Sequence, residues 1–90
     1  MKTEVVGMIA GAFTTFCFIP QVWKTIKTSH TQGISLIYFV FINIGIALWL
    51  VYGILNQDLP IILANIFSLI FAFIILCFKI KNIIFLSETI

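Results

Sequence analysis

Residues 59–78 read LPIILANIFSLIFAFIILCF and are the most apolar part of the chain. This stretch holds twenty residues without a single charged side chain. A helix of about 20 mostly apolar residues is long enough to cross a bilayer core roughly 30 Å thick. Asp58, just before the stretch, is a natural N-cap, and Pro60 falls in the first turn, where its missing N–H costs little. The stretch therefore predicts a transmembrane helix.

Two further apolar runs precede it, at about residues 5–22 and 34–55. Their small and weakly polar residues, and Pro20 in the first run, are all tolerated in membrane helices. In the first span, Gly7, Gly11, Thr14 and Phe18 are predicted to share one face that avoids lipid.

Residues 24–33 form the most polar window and are predicted to be a loop, with Gly33 as its turn residue and Ser35 as a candidate N-cap of the second span. Residues 82–90 are a short tail whose placement the sequence leaves open. We predict an all-α integral membrane protein, with one membrane domain over residues 1–90 and three spans.

The composition excludes several function classes. Hydrophobic residues make up 62% of the chain and charged residues 9%, whereas about a quarter of an average soluble protein is charged. A net charge of +2, scattered lysines and the absence of arginine argue against nucleic-acid binding. The sequence shows no buried acid or base and no metal-ligand spacing, so we expect neither an enzyme nor a cofactor.

The placement of lysines predicts the orientation, because loops on the cytoplasmic side carry an excess of Lys and Arg. Lys24 and Lys27 lie between the first two spans, and further lysines follow the third span, whereas the loop between the second and third spans has none. Lys2 is offset by Glu4. We expect a multi-pass protein of the bacterial plasma (inner) membrane, with its N-terminus outside and its C-terminus in the cytoplasm.

Two side chains inside the spans point to a polar solute. Asn65 would lose hydrogen bonds in the apolar core unless it met a partner or a wet cavity. Trp49 lies deep in its span, although tryptophan usually sits at the membrane interface, and an indole face suits stacking against a pyranose ring. The alternatives are an interhelical hydrogen bond by Asn65, worth about 0.6 kcal/mol, and a large core filler at Trp49.

Pro20 and Gln21 lie towards the cytoplasmic end of the first span. A proline there removes one backbone hydrogen bond and weakens the helix locally, so this point can act as a hinge. A static kink is the alternative.

Four motifs occur in an order and at positions that resemble one family: Phe18-Ile19-Pro20-Gln21, Thr31-Gln32-Gly33-Ile34-Ser35, Leu48-Trp49-Leu50-Val51-Tyr52-Gly53 and Leu63-Ala64-Asn65-Ile66. Together they resemble the bacterial SemiSWEET sugar transporters of the PQ-loop superfamily, over about residues 5–80.

The resemblance implies a parallel homodimer of six helices with one translocation path on its two-fold axis. It implies that Trp49 and Asn65 line the sugar site and that Pro20 and Gln21 form the hinge. It also implies an outer gate of Tyr52 and Asp58. Relatives often carry an arginine where this chain has Asn56, so hydrogen bonds would have to replace a charge pair in that gate.

Three helices alone pack along a line and cannot easily enclose a sugar, whereas six can. Parallel repeats about an axis normal to the membrane are a known transporter plan.

The predicted function is facilitated, bidirectional diffusion of a mono- or disaccharide by alternating access. The three acidic residues, Glu4, Asp58 and Glu88, lie outside the spans, whereas proton-coupled transport usually needs buried titratable groups. Two alternatives stay open: transport of another small solute such as an amino acid, and a non-transporting accessory membrane subunit. The second would tolerate Trp49→Phe and show no solute flux.

Overall fold

The computed structural model describes residues 2–90, with side chains from residue 3 onward. It contains three helices: α1 (Lys2–Thr28), α2 (Leu36–Leu55) and α3 (Leu59–Leu86). Each is long and apolar enough to cross a membrane, and residues 2–90 contain no strand. The predicted all-α architecture with three spans is therefore confirmed. Met1, the first residue of the predicted domain, and the Lys2 side chain, which entered the orientation prediction, lie outside the described residues.

Local sequence sets the ends of α2 and α3. The Ser35 hydroxyl accepts a hydrogen bond from the Tyr38 N–H at 3.2 Å, and the Asp58 carboxylate accepts one from the Ile61 N–H at 3.4 Å. Both predicted N-caps are thus confirmed, and each satisfies a backbone donor that the helix cannot pair internally. Gly33, the predicted turn residue of the first loop, has a φ of +85°, which favours glycine.

Helix α3 lies between the other two and packs against both. Gly7 and Gly11 allow α1 to approach it closely: a Cβ on Gly7 would lie 3.2 Å from the Pro60 Cβ, and one on Gly11 would lie 2.8 Å from the Ala64 Cβ. Small residues bring membrane helices into close contact in this way. Gly7 meets Pro60 and Gly11 meets Ala64, so residue numbers increase in the same direction along both helices and α1 runs parallel to α3. Helix α2 runs antiparallel to both.

The third helix is longer than its predicted span. It continues past residue 78 to Leu86, and α1 likewise continues past residue 22 to Thr28. Lys79 was expected to mark the end of the third span at the membrane surface, but it is only 1% exposed. The charge of this buried lysine is paired within the protein, by the Glu88 carboxylate.

A single chain has very little apolar core. The buried hydrophobic residues among those described are only Val22, Ala72, Ile75 and Leu76. Most large apolar side chains are exposed, as expected for helices whose outer surface meets lipid or another copy of the chain. Helix–helix contact within the chain depends instead on small residues and on hydrogen bonds.

Candidate functional site

The contact between Gly53 and Ile61 sets the register of α2 against α3. A Cβ on Gly53 would lie 2.7 Å from the Ile61 Cγ2, so the two backbones are in close contact there. In an antiparallel pair of helices, Trp49, one turn before Gly53, lies level with Asn65, one turn after Ile61. The two predicted substrate-binding residues therefore lie at the same depth on neighbouring helices.

A second contact confirms this register. The Asn43 side-chain amide donates to the Ala72 carbonyl at 3.3 Å and to the Phe39 carbonyl of its own helix at 2.7 Å. Asn43 is 8% exposed, and its side chain joins α2 to α3. Trp49 and Asn65 lie between the two contacts and towards the Asp58 end.

Trp49 lies on an open face of α2. Its side chain is 56% exposed, and its ring meets the Tyr52 ring edge to face at a centroid distance of 5.4 Å. Gly45 and Leu48 complete a recess of about 450 Å³ along this face. A volume of this size is within the range of small-molecule sites. The recess is open on one side, so a single chain does not enclose it.

Asn65 belongs to the α3 stripe that also contains Ile61, Ser68 and Ala72. Its amide donates one hydrogen bond to the Ile61 carbonyl, at 2.8 Å, and the residue is only partly buried. An asparagine amide has a second N–H and an oxygen with two lone pairs, which match the donors and acceptors of a sugar hydroxyl. The interhelical hydrogen bond considered as the alternative role of Asn65 is made instead by Asn43.

The polar face predicted for α1 is shifted by one residue. Thr14 is exposed, and its hydroxyl donates to the Gly11 carbonyl of its own helix at 3.0 Å. The buried residue is Thr15, whose hydroxyl donates to the Ala64 carbonyl at 3.4 Å and lies 3.5 Å from the Ser68 hydroxyl. The signal was available in the sequence, because Gly7, Gly11 and Thr15 follow a regular spacing of four.

Pro20 lies inside a continuous α1, with an exposed side chain. It has no N–H to donate to the Phe16 carbonyl, so the helix lacks one hydrogen bond at this point. The neighbouring Gln21 donates from its side chain to the Thr25 hydroxyl at 3.3 Å, one turn further on. The hinge assigned to Pro20 and Gln21 stays a prediction.

The predicted outer gate lies at the turn between α2 and α3. The Asn56 side chain donates to the Tyr52 carbonyl at 2.9 Å and so caps α2, while Asp58 caps α3. Both polar side chains are thus bound to backbone of their own turn. Within the described residues, no hydrogen bond joins the Tyr52 side chain to Asp58, so the gate assignment also stays a prediction.

Known proteins resemble this chain along most of its length. The family model described as the PQ loop repeat matches residues 3–62. The sugar transporter SemiSWEET of Leptospira biflexa is 45% identical over 79 residues, which cover 88% of this chain and 93% of that protein. The sugar transporter SemiSWEET of Escherichia coli is 40% identical over 76 residues, covering 84% and 85%. This chain belongs to the SemiSWEET family.

Solved structures agree with this SemiSWEET assignment. A crystal structure of a bacterial homologue of SWEET transporters matches with a TM-score of 0.82 and 46% identity, covering 90% of this chain and 98% of that one. A SemiSWEET in the inward-open conformation matches with a TM-score of 0.85 and 38% identity, covering 91% and 89%. The resemblance inferred from the four motifs is therefore confirmed. The relatives are transporters and not enzymes, in agreement with the sequence prediction.

This SemiSWEET chain also holds a buried polar cluster that the sequence analysis missed, at the end of the bundle away from Asp58. The Lys79 ammonium lies 2.5 Å from the Glu88 carboxylate and donates to the Thr31 carbonyl at 3.2 Å. The Thr31 hydroxyl donates to the same Glu88 oxygen at 2.6 Å. The Asn82 amide donates to the Ser29 carbonyl and the Thr31 hydroxyl, both at 2.7 Å. The tail thereby closes onto the loop between α1 and α2.

The chemistry of Glu88 reflects these contacts. The hydrogen bonds from Lys79 and then from Thr31 stabilise the carboxylate and lower the pKa of Glu88 below its usual value. A sequence signal for the cluster existed: Lys79 and Asn82 continue the stripe of Ala72, Ile75 and Leu76 at helical spacing, which places the lysine on a buried face. A lysine there requires a nearby anion, and Glu88 is the acidic residue of that end.

Proposed function

We propose that this chain is a sugar transporter that works as a parallel homodimer, by facilitated and bidirectional diffusion with alternating access. The observation that carries the proposal is the common depth of Trp49 and Asn65, one turn from the Gly53–Ile61 contact. This arrangement puts an exposed indole face and a hydrogen-bonding amide at one level inside the membrane. Sugars offer the matching apolar C–H faces and hydroxyl groups.

The homodimer follows from the incompleteness of one chain. The recess beside Trp49 is open on one side, and few apolar residues are buried within the chain. A second copy related by an axis along the membrane normal closes the recess and supplies a second tryptophan and asparagine to the same cavity. The relatives named sugar transporters support the substrate class.

The remaining site residues have the roles that the family resemblance implies. Pro20 and Gln21 form the hinge, because α1 lacks a backbone hydrogen bond there and bends more easily. Tyr52 and Asp58 form the outer gate, with Asn56 contributing hydrogen bonds in place of a charge. Transport is passive, because Glu4, Asp58 and Glu88 all lie outside the apolar stretches that cross the membrane.

The protein lies in the plasma (inner) membrane of a bacterium, with its N-terminus outside and its C-terminus in the cytoplasm. Lys24, Lys27 and Lys81 are exposed at one end of the bundle, which supports that end as the cytoplasmic one. Lys79 adds little to this argument because Glu88 pairs with its charge.

The test is uptake of labelled glucose and labelled sucrose into liposomes that contain the purified protein. We expect saturable uptake of at least one sugar by the parent protein, and its loss in Trp49→Ala and in Asn65→Ala. Trp23→Ala is the matched control, because it removes an exposed tryptophan from α1, away from the proposed site. Size and folding of each variant are checked in detergent before reconstitution.

Each result has a distinct meaning. Uptake that both site variants abolish and the Trp23 variant retains supports sugar transport through this site. Uptake that the site variants retain would move the sugar site elsewhere. A folded dimer that takes up neither sugar would contradict the proposed substrate and favour another small solute or an accessory role.

A further inference from the structure

We propose that Glu88 closes a clasp that holds the cytoplasmic end of α1 on α3 and thereby slows the opening of the transport path. The clasp consists of Ser29, Thr31, Lys79, Asn82 and Glu88. This inference rests on the proposed function and extends it, because it assigns a restraint on the cycle to residues outside the sugar site, the hinge and the outer gate.

The clasp joins two parts of the chain that are distant in the sequence, the loop after α1 and the end of α3 with its tail. Lys79 and Asn82 belong to the last turns of α3, Ser29 and Thr31 follow directly after α1, and Glu88 belongs to the tail. The tail turns back because Ser87 takes up a left-handed conformation with a φ of 54°, which ends α3 and directs Glu88 towards Lys79. The end of α1 is held through the Thr31 hydroxyl, which bonds to Glu88, and through the loop carbonyls, which accept hydrogen bonds from Lys79 and Asn82.

Burial makes the clasp a strong restraint. Thr31 is 0% exposed, and Lys79 and Asn82 are each 1% exposed. Opening the clasp takes the Thr31 carbonyl away from the Lys79 ammonium and the Thr31 hydroxyl away from the Glu88 carboxylate, whereas the Lys79–Glu88 pair joins α3 to its own tail and need not break. Hydrogen bonds to charged groups are stronger than neutral ones, so losing them disfavours opening. The conformation with the clasp closed is therefore favoured over any conformation in which the loop leaves α3.

The clasp opposes the proposed hinge directly. Residues 21–28 of α1 lie between Pro20 and the clasp, so the hinge is at one end of this segment and the clasp at the other. A bend at Pro20 that moves the segment away from α3 has to break the bonds to Ser29 and Thr31. Alternating access requires the protein to visit both conformations, and a strong bias towards one of them lowers turnover. Weakening the clasp should therefore raise the rate of transport.

The experiment uses a reversible lock. Thr31→Cys and Asn82→Cys are combined in a background with Cys17→Ala and Cys77→Ala, because the native cysteines are both exposed. The Thr31 hydroxyl and the Asn82 amide are 2.7 Å apart, so the two new thiols start close together. Disulfide formation in the closed state is followed by mass spectrometry. Under oxidation we expect initial sugar uptake to fall at least tenfold, and under reduction to return to or above the parent rate.

A second variant weakens the clasp and does not use cysteines. Glu88→Gln removes the anion from Lys79 and is expected to raise initial uptake about two- to five-fold per folded dimer, a change that corresponds to a modest shift between two states. Lys81→Gln is the matched control, because it removes a charge from the same end of α3 outside the clasp, where Lys81 lies over the Phe78 ring. It is expected to transport at the parent rate.

Two results would overturn the clasp as a restraint. One is an oxidised double-cysteine protein that transports like the reduced form, because the clasp would then stay closed throughout the cycle. The other is a Glu88→Gln protein that is folded, dimeric and no faster than the Lys81 control.

Hydrogen exchange of residues 21–35 separates this idea from the transport proposal. Glu88→Gln should exchange faster there than Lys81→Gln does, whether or not any sugar is carried. If the parent protein carries no sugar, the proposed function fails while a faster exchange still supports the clasp, and an unchanged exchange rate contradicts the clasp by itself.

Discussion

Gly11 lies so close to Ala64 that a methyl group added to Gly11 would sit 2.8 Å from the Ala64 Cβ. The neighbouring Ala64 carbonyl accepts a hydrogen bond from Thr15, one turn further along α1. The α1–α3 contact therefore depends on the absence of a side chain at residue 11. The proposed hinge at Pro20 lies further along α1. The contact at Gly11 therefore holds the part of α1 before the hinge on α3.

Gly11→Ala should destabilise the protein by about 1–3 kcal/mol, the usual cost of overpacking a close contact. Gly45→Ala is the matched control, because a Cβ there would meet nothing within 4 Å of the chain. In a helix that change removes some backbone freedom from the unfolded state and should be neutral or mildly stabilising. Thermal unfolding in detergent measures both. Equal melting temperatures for the two variants would show that the α1–α3 contact relaxes easily.

Trp49→Phe should keep transport but bind sugar more weakly. The smaller ring has less stacking surface and no N–H, and an aromatic stacking contact is worth about 0.5–1.5 kcal/mol. Losing part of this stacking energy should raise the half-saturation concentration for uptake roughly two- to ten-fold. The maximal rate should stay similar. Concentration-dependent uptake in liposomes measures it. An unchanged half-saturation constant would make Trp49 a packing residue.

Residues that act through local chemistry could be predicted from the sequence. The three spans depend on runs of apolar residues, and the caps at Ser35 and Asp58 depend on a side chain next to its own helix, so both were predicted correctly. The pairing of Trp49 with Asn65 needed only the α2–α3 register in addition.

Features that depend on distant contacts left only weak signals in the sequence, and these features were missed. The choice between Thr14 and Thr15 depends on which side of α1 meets α3, and adjacent helical positions differ by only about 100°. The burial of Lys79 depends on a tail that folds back and on an anion at Glu88. A lysine after an apolar run is usually an exposed residue at the membrane surface, whereas Lys79 is buried because Glu88 supplies a counterion from within the protein.

The proposed outer gate should be insensitive to ionic strength. Asn56 carries no charge and is hydrogen-bonded to the Tyr52 carbonyl, so no charge pair at this turn can be screened by salt. Asn56→Arg places a cation near Asp58 and should make initial uptake depend on salt, with faster transport at 1 M than at 0.05 M KCl by about two-fold or more, since the Debye length falls to about 3 Å at 1 M. A parent protein that responds equally to salt would indicate a charged gate elsewhere.

Acid should release the clasp. The pKa of Glu88 is lowered by its hydrogen bonds from Lys79 and Thr31, so Glu88 stabilises the fold fully above the ordinary carboxyl pKa and loses this contribution as the pH falls through the lowered value. We expect the parent to melt higher than Glu88→Gln from neutral pH down to about pH 5, with the difference disappearing in stronger acid. His30 also contributes to lowering the pKa of Glu88, by a smaller charge effect than the hydrogen bonds from Lys79 and Thr31, and it is present in both proteins. A constant difference down to pH 2 would mean that the carboxylate charge contributes nothing.

The order of stability among clasp variants should reveal whether charge or packing matters. In Glu88→Gln the Lys79 ammonium remains buried without its anion, whereas in the double variant Glu88→Gln with Lys79→Met the buried charge is gone as well. Removing one partner of a buried ion pair is costly, and replacing both partners by neutral groups is often tolerated. We therefore expect the double variant to melt above Glu88→Gln, although it carries more substitutions. If the two changes instead lower the melting temperature additively, Lys79 stabilises the protein through its packing and its bond to the Thr31 carbonyl, and the ion pair is secondary.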